Sequence, residues 1–168
     1  METKNIMIVG VGGQGTLLTS RILGGITRKA GYDVKISEVH GMAQRGGSVV
    51  TYVRYGDKVA EPIVEEGQAD VIAKDLRMDP MPVSIGAAQY PENIIENLKK
   101  KHQVISLDAQ ALAKEIGNAR VFNTIIIGVA AKRMDFAKED WLKVIEETVP
   151  QKTIEINTRA FEAGYALG

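Results

Sequence analysis

A short β-branched run from Ile6 to Val11 leads directly into Gly10-Val11-Gly12-Gly13-Gln14-Gly15. A helical pattern follows, with Leu18, Ile22 and Ile26 on one face. This strand, glycine turn and helix constrain the fold more than any other feature, because they are the opening unit of an α/β layer fold. Glycines at such a turn allow tight reversal and let a ligand approach the backbone. The helix N-terminus also offers amide donors and positive potential to an anion. Gly12, Gly13, Gln14 and Gly15 are therefore anion-binding candidates. Glu38 follows 23 residues after Gly15 near a strand end, where a ribose-binding carboxylate could sit. The same glycines can equally build a sharp turn with no nucleotide. No hydride-transfer site accompanies them, so no tightly bound NAD is expected.

Further along, Val34–Val39, Ser48–Tyr55, Ala69–Ala73 and Val104–Leu107 read as strands. Helices are expected over Glu92–Lys101, with Pro91 in the first turn, and over Ala109–Ile116, capped by Asp108. Three more are expected over Asn123–Met134, Lys138–Thr148 and Glu155–Tyr165. Strands alternating with helices predict a Rossmann-like, three-layer α/β fold with a mostly parallel sheet and helices on both faces. Gly24 and Gly25, inside the first helix, are read as points of close packing against the sheet. At 168 residues the chain is expected to be a single domain, 1–168.

Composition narrows the functional classes. Twenty-one basic residues balance 21 acidic ones, which argues against binding nucleic acid or an anionic membrane surface. The chain has no cysteine, so it can form neither a disulfide nor a cysteine-ligated iron–sulfur cluster. Met1–Asn5 lacks the basic and apolar regions of a signal peptide, and no apolar run is long enough to span a bilayer, so a cytoplasmic location is expected. Of the two histidines, His102 follows three lysines at a predicted helix end and reads as a solvated residue that favours the helix dipole.

The most informative segment is Ser37-Glu38-Val39-His40-Gly41-Met42-Ala43-Gln44-Arg45-Gly46-Gly47-Ser48. Its loop is expected at the carboxyl edge of the sheet, beside the first glycine loop. Its glycines allow close contact with another surface, and Arg45 offers a rigid fork of donors to a carboxylate or phosphate. His40, Gly41, Met42, Gln44, Arg45, Gly46 and Gly47 are the candidate residues for a partner interface or a position near an active site. No catalytic residue and no metal ligand can be assigned from the sequence.

At these residues the chain resembles the gamma subunits and domains of pyruvate and other 2-oxoacid:ferredoxin oxidoreductases, and in particular the beta subunits of the indolepyruvate enzymes. The resemblance runs through Gly10–Gly15, Ser37–Ser48, Tyr90-Pro91-Glu92, Asp108-Ala109, Leu112-Ala113, Gly117-Asn118, Asn123 and Gly128. It ends on Asn157-Thr158-Arg159-Ala160-Phe161-Glu162-Ala163-Gly164. It implies a small subunit inactive alone, working with a large alpha subunit that carries thiamine diphosphate, magnesium and iron–sulfur clusters. Coenzyme A would be the cosubstrate and ferredoxin the electron acceptor. Subunits of pyruvate or 2-oxoglutarate enzymes share this pattern, while an NAD(P)-binding oxidoreductase and a scaffold without catalytic role are the other readings. One departure stands out. After Ala69–Ile72 the family pattern continues with a helix and a strand, where this chain has only Ala73 to Pro80, a shortfall on the order of 25 residues.

Overall fold

The computed structural model of the chain describes residues 1–13, 15–42, 47–74 and 81–168. Four strands form one sheet: β1 (Lys4–Val11), β2 (Asp33–His40), β3 (Ser48–Gly56) and β4 (Val71–Lys74), in the order β2-β3-β1-β4. The first helix, α1 (Thr16–Lys29), connects β1 to β2. Two short helices, α2 (Met81–Ser84) and α3 (Ile94–Lys99), precede α4 (Ala109–Ile116), α5 (Phe122–Ala131), α6 (Lys138–Thr148) and α7 (Ile154–Leu167).

The α/β class expected from the sequence is present, but the sheet is mixed rather than mostly parallel. β3 pairs antiparallel with both β1 and β2, and the one parallel pairing is between β1 and β4. The physical reason lies in the connection from β2 to β3. Six or seven residues can close a hairpin, whereas a parallel crossover needs a dozen or more. Because β2 returns immediately as β3, the new strand inserts between β2 and β1.

The larger buried cluster lies on one face of the sheet. Ile6, Ile8, Val53 and Tyr55 on one sheet face join Ile22, Leu23 and Ile26 of α1, Ile127 of α5 and Trp141, Val144 and Ile145 of α6 in one buried cluster. A second cluster forms among α4, α5 and α7, around Ala113, Phe122, Ile125 and Ala160. Met7, Val9, Val50 and Tyr52 alternate with the buried positions and are only half-buried. Among the described residues neither of the two core clusters is built on that opposite face, where Arg54 instead donates to the Glu61 and Ile63 carbonyls.

Local sequence accounts for much of the helical layer. The Asp108 carboxylate accepts from the Ala111 amide at 2.8 Å, the N-cap expected for α4. Pro91, by contrast, lies outside α3, whose N-cap is Asn93. His102 is exposed just beyond α3, and its amide donates to the Leu98 carbonyl. A Cβ on Gly24 would meet the Ile36 side chain of β2 at 2.6 Å, as close packing on the sheet requires. Gly25 instead faces Val144 of α6 at 2.7 Å, so its small size serves helix packing. Val104–Leu107 has the composition of a strand but pairs with none of the four, because β4 ends the sheet without reaching it.

The tightest contact is between α5 and α7. A Cβ on Gly164 would lie 1.9 Å from the Ile125 carbonyl oxygen, and one on Gly128 would lie 2.2 Å from that of Phe161. Replacing Gly164 with Ala must push two helix backbones apart. Gly164→Ala is expected to cost about 2 kcal/mol or more in denaturant unfolding. Gly41→Ala, where a Cβ meets open space, is expected to stay within about 0.5 kcal/mol. Equal stabilities would contradict the packing.

Tyr55 provides a pH-dependent check on the sheet core. Burial, followed by the charges of Asp70, Tyr32 and Asp135, pushes its phenol up to about 12 from 10.0. The folded state therefore keeps a proton that the unfolded chain releases. This contribution is complete below pH 10 and is lost as pH rises through about 12. Tyr55→Phe keeps the ring beside Tyr32 and Phe136. It is expected to flatten the fall in stability between pH 10 and 12, read from urea unfolding at each pH.

Candidate functional site at the carboxyl edge of the sheet

β1 ends at Val11 opposite Ser48, and β2 ends at His40 opposite Val49. The two glycine-rich connections therefore leave the same end of the sheet. They are joined directly, since the Gly12 amide donates to the Gly47 carbonyl at 2.8 Å. The juxtaposition expected from the sequence is thus present, although it arises through a hairpin rather than through neighbouring parallel strands.

Within the first loop, Gly13 and Gly15 adopt φ of 88° and 92°, the left-handed region that glycine enters without penalty. Gly15 is the N-cap of α1, and its carbonyl accepts from the Leu18 amide at 3.0 Å. A Cβ on Gly15 would lie 2.7 Å from the Asn123 side-chain nitrogen. The glycine thus answers two local demands, a positive φ and the approach of the α5 N-terminus. Gln14 lies outside the described residues, so the anion-binding set is described at Gly12, Gly13 and Gly15 only.

Glu38 does not stand where a ribose carboxylate would need to be. β3 separates β2 from β1, which displaces Glu38 by one further strand spacing, roughly 5 Å, compared with adjacent strands. Its carboxylate accepts from the Thr51 hydroxyl at 3.3 Å, a cross-strand contact within the β2–β3 pair. The glycine turn remains, but the partner that would make it a dinucleotide site does not adjoin it.

In the second loop, His40 is exposed and its Nδ1 lies 2.8 Å from the Gly41 carbonyl. Gly41 is exposed, and Met42 is fully exposed. Gly47 anchors the far end through its bond from Gly12. Gln44, Arg45 and Gly46, named as candidates from the sequence, lie outside the described residues, as does Ala43.

Asn123 carries more weight than its place in an apolar run suggested. It is buried at the start of α5 against the first loop, and the adjacent Thr124 hydroxyl donates to the Asn157 side-chain oxygen at 2.6 Å. Asn157 in turn donates to the Thr153 carbonyl at 2.9 Å. Two polar residues interrupting the run Val121–Ala131, together with Asn157 in the last helix, were the available signal. Their pairing across the helices was not. Among the described residues no cluster of side chains is suited to a metal, and no helix is long and apolar enough to cross a membrane.

The family model described as pyruvate ferredoxin/flavodoxin oxidoreductase matches residues 5–167. The indolepyruvate oxidoreductase subunit IorB of Thermococcus kodakarensis is 39% identical over 98% of this chain and 95% of its own. The same subunit from Pyrococcus horikoshii is 38% identical with the same coverage. Among solved structures, the gamma subunit of a keto/oxoacid ferredoxin oxidoreductase from Geobacter sulfurreducens superposes with a TM-score of 0.72 at 22% identity. That match covers 97% of this chain and 96% of the other. The match to the Thermococcus subunit extends over 194 positions, so at least 26 of them have no counterpart in these 168 residues.

The site geometry leads to a direct expectation. Calorimetric titration of the purified chain with NAD+ or NADH should show no micromolar binding, because β3 separates the glycine turn from the strand that would supply the ribose contact. Micromolar affinity would contradict this account. Weak phosphate or sulfate binding would not, since any such helix start attracts anions.

Proposed function

From its membership in the pyruvate ferredoxin/flavodoxin oxidoreductase family, to which this chain belongs, we propose that it is the small subunit of an indolepyruvate:ferredoxin oxidoreductase. The observation that carries this reading is the end-to-end match to the IorB subunits, which covers nearly all of both chains. The assembled enzyme oxidatively decarboxylates an aryl 2-oxoacid. Carbon dioxide leaves, the acyl group passes to coenzyme A, and the electrons reach ferredoxin.

The division of labour follows from side-chain chemistry. A chain without cysteine cannot hold iron–sulfur clusters through thiolates, so the electron path belongs to another chain. That chain is proposed to be a large alpha subunit that also holds thiamine diphosphate and magnesium. The residues of this chain contribute a shaped surface. The Gly12–Gly47 tie fixes the base of both loops, and Met42 stands out from it. Arg45 is assigned to the same surface on sequence grounds, as a fork able to make paired charge-assisted hydrogen bonds.

Reconstitution tests the proposal. The purified chain alone should not reduce ferredoxin with any 2-oxoacid and coenzyme A. Addition of the cysteine-bearing large subunit should restore turnover, faster on indolepyruvate than on pyruvate or 2-oxoglutarate. Turnover by this chain alone would refute the division of labour, and preference for pyruvate or 2-oxoglutarate would reassign the substrate. Arg45→Ala and Arg45→Lys should each weaken assembly or turnover, with a loss of about 2–5 kcal/mol for Ala if a partner charge is left buried. Unchanged assembly and turnover in both variants would remove Arg45 from the interface.

A further inference from the structure

Gly15 is where the first glycine turn meets the helical layer. Its carbonyl accepts from the Leu18 amide at 3.0 Å and from the Thr19 amide at 3.3 Å. A Cβ on it would lie 2.7 Å from the Asn123 side-chain nitrogen. Asn123 is 5% exposed, on a helix buried otherwise through Phe122, Ile125, Ile127 and Val129. Burying a primary amide there costs free energy that an aliphatic side chain of the same shape would not. Helix capping does not account for it, because the N-cap position of α5 belongs to Val121. What Asn123 faces is the turn.

α5 is held so that Asn123 keeps this direction. Thr124, roughly 100° further around the helix, donates to the Asn157 side chain of α7 at 2.6 Å. Gly128 and Gly164 bring the two helix backbones together further along. α5 therefore presents Thr124 to α7 and Asn123 to the loop. In the same turn Gly13 takes a φ of 88°, and the Gly12 amide donates to the Gly47 carbonyl at 2.8 Å. One buried amide thus stands against a turn that is tied to both loops.

We propose that Asn123 is the positioning residue of the two-loop surface. Through Gly15 it holds the first turn, and through the Gly12–Gly47 bond the base of the second loop, in the shape that the large subunit accepts. The last clause rests on the reading of this chain as a subunit, whereas the hold on the turn does not. The amide chemistry carries the role rather than the volume. A primary amide donates and accepts at once, an aliphatic group does neither, and an ionised carboxylate only accepts.

Amide hydrogen exchange on the full chain tests the hold on the turn. In Asn123→Leu the amides of Gly12, Leu18 and Thr19 should exchange at least ~10-fold faster than in the wild type, while the β1–β3 ladder keeps its rates. Asn123→Asp keeps the shape without the donor and should loosen the same three amides. Ile145→Val, which trims a fully buried side chain of α6, should lower the melting temperature without this local change. Assembly with the large subunit should weaken at least ~10-fold in both Asn123 variants, measured well below their melting temperatures, and stay at wild-type strength in Ile145→Val. Wild-type exchange at the three amides in either folded Asn123 variant, or exchange raised equally along the ladder, would overturn the proposal. Should Asn123→Leu not fold, Asn123→Asp decides. Loosened amides with wild-type assembly would overturn the part concerning the large subunit. If the wild-type chain does not associate with the large subunit at all, the functional reading falls, and exchange still decides the role of Asn123.

Discussion

The insertion of β3 between β1 and β2 is the constraint on which the rest of the structure depends. It makes two of the three strand pairings antiparallel. It also draws the loop after β2 back to the end of β1, where the Gly12 amide bonds the Gly47 carbonyl. Two loops that could have been independent become one surface. The same insertion takes Glu38 away from the glycine turn, so a sequence with the spacing of a nucleotide site lacks its geometry. A strand–turn–helix unit is general, and what it does depends on which strand lies next to it.

The helical layer holds that surface in place from behind. α5 meets α7 at glycines on both sides, Gly128 and Gly164, and the Thr124–Asn157 hydrogen bond crosses the same contact. At the start of α5, Asn123 closes against Gly15. A displacement of α7 would therefore be felt at the base of the first loop through a single helix. Buried polar pairs of this kind are costly to leave half-made, which favours one arrangement of the two helices over its neighbours.

Much of this was legible in the sequence where local rules decide. Lys138–Thr148 and Ala109–Ile116 stand at their expected bounds, because helical periodicity and an Asp108 cap act within a few residues. The meeting of the two glycine loops was legible too. Strand direction was not read correctly, although the signal was present in a connection too short for a crossover helix. Val104–Leu107 shows the opposite failure. Its residues are those of a strand, but a strand needs a neighbour, and the sheet stops at β4. The pairing of Thr124 with Asn157 lay beyond local rules altogether, since 33 residues separate the partners.

A chain with no cysteine that belongs to a ferredoxin-linked family can work only in company. The most direct measurement is native purification of the tagged protein under anaerobic conditions, followed by mass analysis and visible absorption of whatever is retained. The account predicts a larger chain in fixed stoichiometry with the broad absorption of iron–sulfur clusters. Recovery of the chain by itself, colourless or carrying a nicotinamide nucleotide, would contradict it.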